Sequence, residues 1–157
     1  MNPVVSPACS GAVEVRASSV HGEGVFALRS LPPGLLVGRY EGRRYAPSQA
    51  RERHWDGSLT YLFGLSDGTL IDATEGGNAT RLINHSCEPN CVAIEEADDE
   101  GDLQIVFRTK RRIRVGEELF IDYRLDVGTE DPAAYRCRCG SPRCRGTLAA
   151  VTLRDAA

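Results

Sequence analysis

The sequence predicts a mostly β protein. Short apolar or alternating segments recur along the chain, which is the pattern of strands. Glycine and proline separate them: the 157 residues include 16 Gly and 8 Pro, which commonly end regular structure. Only residues 48–54 have the pattern of a helix. The length suits one domain, and 41% hydrophobic residues suffice for a buried core.

The first half of the chain contains that helix and four predicted strands. Residues 13–17 alternate apolar and polar side chains, as a half-buried strand does. A turn is predicted at 31–34, because Pro fixes φ and Gly accepts the reverse bend. The triplet Ser66-Asp67-Gly68 predicts a hairpin turn. The predicted strands of this half are 13–17, 35–40, 59–65 and 69–73.

The second half contains further predicted strands at 91–94 and 103–109, and a last one that follows a Val-Gly turn and ends at Tyr123. Residues 95–102, between the first two, are strongly acidic. We interpret this run as a solvated loop tip, since charge runs are usually exposed. Electrostatic attraction of a basic peptide substrate is the alternative.

Composition limits the partners and the compartment. A net charge of −3 argues against direct nucleic-acid binding through a basic surface. No segment is long and apolar enough to span a bilayer, so no membrane partner is expected. Residues 1–12 lack the basic start and apolar block of a secretory signal. We therefore expect an intracellular protein, cytoplasmic if bacterial and nuclear if eukaryotic; its oligomeric state stays open.

The cysteines indicate a metal site. In a reducing compartment, clustered cysteines are typical of metal ligands rather than of disulfides, which are the alternative for an exported protein. Cys137-x-Cys139-x4-Cys144 supplies three thiolates, whereas a structural zinc site is closed by four ligands. The six cysteines are Cys9, Cys87, Cys91, Cys137, Cys139 and Cys144.

Two stretches have the character of ligand-binding loops. Residues 81–91 (RLINHSCEPNC) place Asn, His and Ser directly after an apolar pair. Polar groups are costly to bury without partners, so this run suits a loop folded over a ligand. Gly22 and Gly24 flank one residue, and glycines allow positive φ and close approach to a ligand. An ordinary hairpin turn is the alternative for the glycine pair.

Three motifs together resemble the SET-domain lysine methyltransferases: residues 81–91, 116–123 (GEELFIDY) and 137–146 (CRCGSPRCRG). They occur in that family's order and spacing, and the similarity covers roughly residues 12–148. The resemblance implies a β-clip-like fold of several small sheets with a C-terminal pseudoknot and a post-SET zinc site. It implies a flexible lead-in at 1–11, a SET domain at 12–128, a zinc-binding segment at 129–150 and a tail at 151–157.

The resemblance also implies a cofactor, S-adenosylmethionine. The loop at 21–24 would hold the cofactor largely through backbone atoms. The family commonly has larger or basic residues at the position of Glu23, and this departure affects a side-chain role for Glu23 but not the backbone role of the loop. The implied cofactor-binding residues are His21, Gly22, Glu23, Gly24, Tyr61, Asn84 and His85.

Tyr123 is the implied main catalytic residue, with Tyr40 beside it, and Phe63 and Ile121 complete a channel for the target lysine. Without the resemblance, Tyr40 would be interpreted as a half-buried strand tyrosine. Tyr61 and Phe63 share one face of a strand, and a cross-strand aromatic pair in the core is the alternative for them. The family usually has Phe or Tyr where this chain has Ile121, which predicts addition of two or three methyl groups.

In the family, Cys87 is the fourth ligand of a structural Zn²⁺ held with Cys137, Cys139 and Cys144. The resemblance further implies that Arg81, Asn90 and Glu117 tie the pseudoknot by hydrogen bonds, and that Tyr135 and Arg138 contact cofactor or substrate. Cys91 is expected to be buried and Cys9 to be unpaired.

The implied function is S-adenosylmethionine-dependent methylation of lysine in a basic, histone-like protein or peptide. The alternative is a non-catalytic, zinc-stabilised module that binds a peptide without turnover. The presence of Asn84, His85 and Tyr123 together favours the enzyme.

Overall fold

The computed structural model describes residues 11–52 and 61–150. Short strands dominate this part of the chain, with one short α-helix and two single turns of 3₁₀ helix at Ala79–Leu82 and Pro132–Ala134. The elements are β1 (Val13–Ala17), β2 (Glu23–Ala27), β3 (Leu36–Arg39), β4 (Arg43–Tyr45), α1 (Pro47–Glu52), β5 (Leu62–Gly64), β6 (Leu70–Asp72), β7 (Asn84–His85), β8 (Cys91–Ala97), β9 (Leu103–Thr109) and β10 (Phe120–Ile121).

Small sheets make up the fold, which confirms the predicted mostly β class. Strands β1 and β2 form an antiparallel pair, and β7 and β10 form a parallel pair. The three-stranded sheets have the orders β3-β9-β8 and β4-β6-β5. Within the described residues, neither α1 nor the 3₁₀ turns has the length and apolarity to traverse a bilayer.

Element boundaries differ from the prediction where pairing extends or shortens a segment. Strand β8 runs to Ala97, three residues into the predicted acidic loop, because these residues pair with the start of β9. The predicted hairpin arms at 59–65 and 69–73 correspond to β5 and β6, and residues 59–60 lie outside the described residues. The helix starts at Pro47 rather than Ser48, and its predicted end at His54 lies outside the described residues.

The core draws one or two apolar side chains from most of the elements. Phe107 on the central strand β9 is fully buried, and it packs in a cluster that includes side chains from β3, β6 and the segment after β9. Cys91 is also fully buried, as predicted. Other large side chains buried to 2% exposure or less include Leu31, Ile71, Ile83, Ile113 and Leu119.

Asn90 fastens the segment after β7 to residues 116–123, termed the C-terminal motif. Its side-chain amide donates to the Glu118 carbonyl at 2.7 Å and to the Glu117 carboxylate at 3.2 Å. Its Oδ1 accepts from the Phe120 N–H at 2.8 Å. A buried amide satisfied on both sides is costly to move, so these bonds hold β10 beside β7, as the implied pseudoknot requires.

Candidate functional site

The loop that leads into β2 is held by a buried carboxylate and a buried amide. The Glu118 carboxylate accepts from the Ser18 hydroxyl at 3.0 Å and from the Asn84 Nδ2 at 2.9 Å. The same Asn84 nitrogen lies 3.1 Å from the His21 carbonyl and 2.9 Å from the Glu23 carbonyl. Asn84 therefore links the GxG loop to the C-terminal motif through its donor nitrogen.

The exposed edge of this loop suits a bound ligand. His21, Gly22 and Glu23 are exposed, and Gly22 has φ +47°, which glycine adopts without strain. The Oδ1 of Asn84 accepts no hydrogen bond from the described residues, although the side chain is 7% exposed. An acceptor left open beside an exposed backbone loop fits the ammonium end of an amino-acid-like cofactor.

Ser18 and Glu118 were not identified as site residues from the sequence. Glu118 lies inside the motif 116–123. The sequence feature that could have identified it is a charged residue directly before Leu119, which is buried. Ser18 had no such signal. Its hydroxyl also accepts from the backbone N–H of Val20 at 3.0 Å, so it shapes the loop it precedes.

Gly24 is required by the close approach of Glu118. A Cβ built at Gly24 would stand 2.1 Å from the Glu118 Oε1 and 2.8 Å from its Cδ, far inside contact distance. Because that carboxylate is buried and bonded to Ser18 and Asn84, it cannot withdraw without breaking those bonds. The glycine thus allows the loop and the C-terminal motif to meet.

Substituting Ala at Gly24 is expected to weaken cofactor binding by roughly tenfold or more, since displacing Glu118 costs at least one charge-assisted hydrogen bond. Isothermal titration with S-adenosylmethionine measures it. Gly64→Ala is the matched control, because a Cβ there makes only an ordinary contact of 3.6 Å with Leu70. Equal affinity of the two variants would contradict the role assigned to this contact.

A group of aromatic rings packs in and against the hydrophobic core. The Tyr40 and Phe63 rings pack edge to face with centroids 4.7 Å apart, and Phe107 lies 6.0 Å from each. The Tyr40 hydroxyl donates to the Tyr61 carbonyl at 2.7 Å. Phe107 was not singled out in the sequence; it lies on the central strand β9, in a run of four consecutive buried residues, and there it supports the other two rings.

Tyr123 completes the group. Its hydroxyl lies near residues 81–91, termed the polar motif. The hydroxyl donates to the Ile83 carbonyl at 3.1 Å, and its ring packs edge to face on His85 at 5.3 Å. Burial raises the pKa of Tyr123 to about 12, with smaller contributions from Tyr61 and Glu118. Burial also raises the pKa of Tyr40, and Tyr123 adds to that effect. Both phenols are therefore neutral at physiological pH and serve as hydrogen-bonding groups rather than as bases.

His85 is buried, and both of its ring nitrogens are engaged. Nδ1 accepts from the Tyr123 backbone N–H at 3.1 Å, which leaves the proton of the neutral ring on Nε2, 3.4 Å from the Cys87 Sγ. Burial lowers the pKa of His85, against the opposing effect of the Asp122 carboxylate. The His85 ring thus orients Tyr123 and faces Cys87. Only the backbone of His85 is therefore available to a cofactor.

Cys87, Cys137, Cys139 and Cys144 come together as candidate metal ligands. The Cys87 Sγ is 3.7 Å from that of Cys137 and 4.0 Å from that of Cys144. Four sulfurs around one zinc form a tetrahedron with edges of roughly 3.8 Å, so these separations fit. Backbone N–H groups also point at the sulfurs of all four cysteines at 3.4–3.5 Å, as in sites where thiolates carry charge.

The ionisation of the thiols also favours a cation. Burial raises the pKa of Cys87 and of Cys137, and bonding to neighbouring thiols raises that of Cys137 further. For Cys139, burial acts in the same direction, but the Cys87 N–H and Ser141 outweigh it and lower the pKa to about 6. Neighbouring thiols cannot all ionise unless a positive charge lies among them. The ligand atoms of His85, Cys87, Cys137 and Cys139 all lie within 4.8 Å of one another, whereas Cys144 joins them through its 4.0 Å contact with Cys87. The His85 ring already bonds to Tyr123.

An ion pair links the cysteine tail to the residue before Tyr123. Arg145 donates to both oxygens of Asp122, at 2.9 and 2.5 Å. A second pair joins Arg143 to Glu88 at 2.6 Å. Bidentate arginine–carboxylate pairs fix orientation as well as distance, so they orient the tail against β10 and the polar motif. The sequence analysis did not single out either pair.

The other predicted site residues lie as follows. Ile121 is 3% exposed and its carbonyl accepts from the Ser86 N–H at 2.9 Å. Arg81 donates to the Ala73 carbonyl at 3.0 Å and lies 5.4 Å from the Tyr61 ring centroid. Arg138 is exposed, and the Tyr135 hydroxyl donates to Glu130 rather than to any channel residue. Cys9 lies outside the described residues.

Comparison with known proteins agrees with the geometry. The family profile described as "SET domain" matches residues 22–124. The chain is similar to human "Histone-lysine N-methyltransferase 2B", with 42% identity over 87% of this chain and 5% of that protein. It is 40% identical to "Histone-lysine N-methyltransferase, H3 lysine-4 specific" of Mycosarcoma maydis, over 83% of this chain and 9% of that protein. Trithorax of Drosophila virilis, also named a histone-lysine N-methyltransferase, shows 40% identity over 87% of this chain and 4% of that protein. The chain thus spans less than a tenth of the length of these relatives.

Proposed function

The chain belongs to the SET-domain family, as its motifs predicted, and from this membership we propose that it methylates lysine side chains of a basic protein substrate with S-adenosylmethionine as methyl donor. The observation that carries the proposal is the position of Tyr123. Its half-buried hydroxyl donates to the carbonyl of Ile83, the residue before Asn84 in the polar motif, and its ring packs against the core that includes Tyr40. At the Tyr123 hydroxyl, a lysine amine in the aromatic channel would meet the methyl group of a cofactor bound on the loop at 21–24.

The chemistry requires a neutral amine. Free lysine has a pKa near 10.4, so it is almost fully protonated at neutral pH and must lose a proton to solvent before it attacks. A dry channel of aromatic side chains lowers that pKa, because burial disfavours the charged form. The bound cofactor supplies an electrophilic methyl group. The rings of Tyr40 and Phe63 exclude water, and they tolerate a methylated ammonium through cation–π contact.

Tyr123 would orient the amine rather than take its proton. Its phenol is neutral at physiological pH, since burial raises its pKa to about 12. A neutral hydroxyl can hold the attacking nitrogen in line with the methyl group, and alignment alone accounts for a large share of catalysis in such displacements. His85 and Ile83 hold the tyrosine in place by the two hydrogen bonds already described.

Cys87, Cys137, Cys139 and Cys144 are proposed to hold one structural Zn²⁺. The sulfur spacing and the N–H groups aimed at the thiols support this. The metal would fasten residues 129–150 to the polar motif, and residues 12–128 would form the SET domain proper. With its ligands all provided by cysteine, the ion would serve structure and leave methyl transfer to the other residues.

A histone-like protein is the proposed substrate. One relative is named as specific for lysine 4 of histone H3, so an H3 tail peptide is the first substrate to test. A histone substrate would place the protein in the nucleus of a eukaryotic cell, whereas a bacterial source would place it in the cytoplasm. Its oligomeric state does not enter the proposal.

The proposal is tested by transfer of labelled methyl from S-adenosylmethionine to an H3 tail peptide, to mixed histones and to a cell lysate, with cofactor binding measured in parallel. Label on protein lysine supports the enzyme. Peptide binding without label on any of the three would favour the non-catalytic binding module. Absence of cofactor binding would overturn the assignment of the loop at 21–24.

The buried Ile121 is proposed to permit more than one methyl group. A hydroxyl at this position could hold a water beside the amine and so take up the room of a further methyl group. Ile has no hydroxyl, so this restriction to one methyl is absent. Mass spectrometry of a reaction run to completion is expected to show two or three methyl groups per lysine. Ile121→Tyr should shift the product toward one methyl, with Ile121→Val as the control that adds no hydroxyl. A wild-type reaction that stops at one methyl would refute the idea.

A further inference from the structure

We propose that a cluster of basic side chains beside the 113–117 segment, termed the basic face, binds the phosphate backbone of a double-stranded nucleic acid. It lies outside the channel and the cysteine cluster, and it does not depend on methyl transfer. The net charge of −3 gave the opposite expectation, because a sum over the chain conceals where the charges lie. The basic face consists of Arg16, Arg29, Lys110, Arg111, Arg112 and Arg114.

Backbone pairing brings these residues together from three parts of the chain. Leu31 and Ile113 exchange both backbone hydrogen bonds, at 2.9 and 3.0 Å, so the segments around them run side by side. Arg112 reaches across to the Ser30 hydroxyl at 3.3 Å. Arg16, at the end of β1, donates to the Gly116 carbonyl at 3.0 Å. The cations thus share one surface although they lie up to 98 positions apart (16 to 114).

The basic face keeps a large excess of positive charge. Glu117 pairs with Arg111, and Glu14 lies 3.7 Å from Arg16. Arg29, Lys110 and Arg114 are exposed, and none of them forms an ion pair with a described residue. Six cations therefore face two carboxylates on a chain whose net charge is negative. Such an excess is costly to maintain without a partner that uses it.

The acidic run lies at the other end of the same strand. Strand β9 starts beside the turn that contains Asp98, Glu100 and Asp102, and it ends at Thr109, directly before Lys110. A strand of this length separates the two ends by roughly 20 Å, well beyond the screening length at physiological salt. Strand β9 therefore separates the acidic turn, beside which Arg39 and Arg44 also lie, from the basic face. This arrangement orients the molecule on a polyanion, with the acidic turn directed away.

The local chemistry favours phosphate over an acidic protein. A cavity of about 480 Å³ at the basic face is lined by Arg111, Arg112, Arg114 and Glu117, with no apolar side chain among them. Protein interfaces are anchored by apolar or aromatic side chains that fill a pocket. The apolar side chain of this segment, Val115, is exposed and does not line the cavity. Guanidinium groups match phosphate oxygens in pairs, and five of the six cations are arginines.

The test uses the full chain and a fluorescein-labelled 20-base-pair duplex DNA, with binding followed by anisotropy between 50 and 200 mM salt. Single-stranded RNA of equal length and a poly-glutamate peptide are the competing probes. The triple variant Arg29→Gln, Lys110→Gln, Arg114→Gln removes the three cations without ion pairs. The matched control, Arg39→Gln, Arg51→Gln, Arg136→Gln, removes the same charge from exposed arginines elsewhere that likewise form no ion pair with a described residue.

We expect duplex binding that weakens with salt, and roughly tenfold or greater loss of affinity in the basic-face variant but not in the control. The slope of log affinity against log salt should become shallower by about 2–3, since each phosphate contact contributes about 0.9. No duplex binding, equal loss in both variants, or tighter binding of poly-glutamate or single-stranded RNA would overturn the proposal. Unchanged thermal unfolding and cofactor affinity in both variants exclude misfolding as the cause.

Discussion

Tyr123→Phe is expected to lower the rate of methyl transfer by roughly 10²-fold or more, while S-adenosylmethionine still binds. The hydroxyl is the polar atom at the junction of the aromatic group and the polar motif, where it donates to the Ile83 carbonyl. Its removal leaves the ring packed against His85 but frees the amine to rotate out of line. The lost hydrogen bond should cost only about 1 kcal/mol of unfolding free energy, so the protein stays folded.

Single-turnover transfer to an H3 peptide measures the effect, together with titration of the cofactor and a thermal melt. Tyr45→Phe is the matched control, because Tyr45 is a buried tyrosine on β4, outside the aromatic group. The control should transfer methyl at a rate near that of the wild type. A Tyr123→Phe protein with wild-type transfer, or one that no longer binds cofactor, would contradict the positioning role.

Loss of the proposed zinc is the second large effect. Cys87→Ser removes the proposed ligand provided by the polar motif, so the tail keeps three cysteines but loses the metal bond that would fasten it to residues 84–90. Structural zinc contributes folding free energy directly, on the order of 10 kcal/mol in small zinc domains. We expect zinc content to fall from one per chain toward zero and methyl transfer to fall with it, because Arg145 no longer holds Asp122 beside Tyr123.

Elemental analysis of the purified protein gives the zinc content, and hydrogen exchange of residues 135–148 reports whether the tail has detached. Cys91→Ala serves as control: Cys91 is buried in the core, and its replacement should leave zinc at one per chain. If Cys87→Ser still binds one zinc per chain, Cys87 is not the fourth ligand and the assignment is wrong. Chelation of the wild type should reproduce the Cys87→Ser result, and transfer that survives chelation would refute a required metal.

Much of the fold class and the residue content of the site could be predicted from the sequence. Alternation, turn residues and the three motifs are local properties, so strand β1 and the family were predicted correctly. The three-cysteine spacing likewise predicted the thiol cluster that the fold gathers around Cys87, which is a candidate metal site. The extension of β8 into the acidic run was missed, because strand length there is decided by pairing with β9 rather than by the residues of β8.

By itself the sequence determined which chemical groups this protein brings together: a GxG loop, an Asn-His pair, aromatic side chains and thiols. Only the tertiary structure decided how they are held. Ser18 and Asn84 both donate to Glu118, over 100 and 34 positions, and Arg145 donates to Asp122 over 23 positions. Periodicity describes neighbours along the chain, whereas these partners are chosen by which buried charges and amides can satisfy each other once the sheets have packed. The same packing separates the acidic turn from the basic face, which no sum of charges along the chain can express.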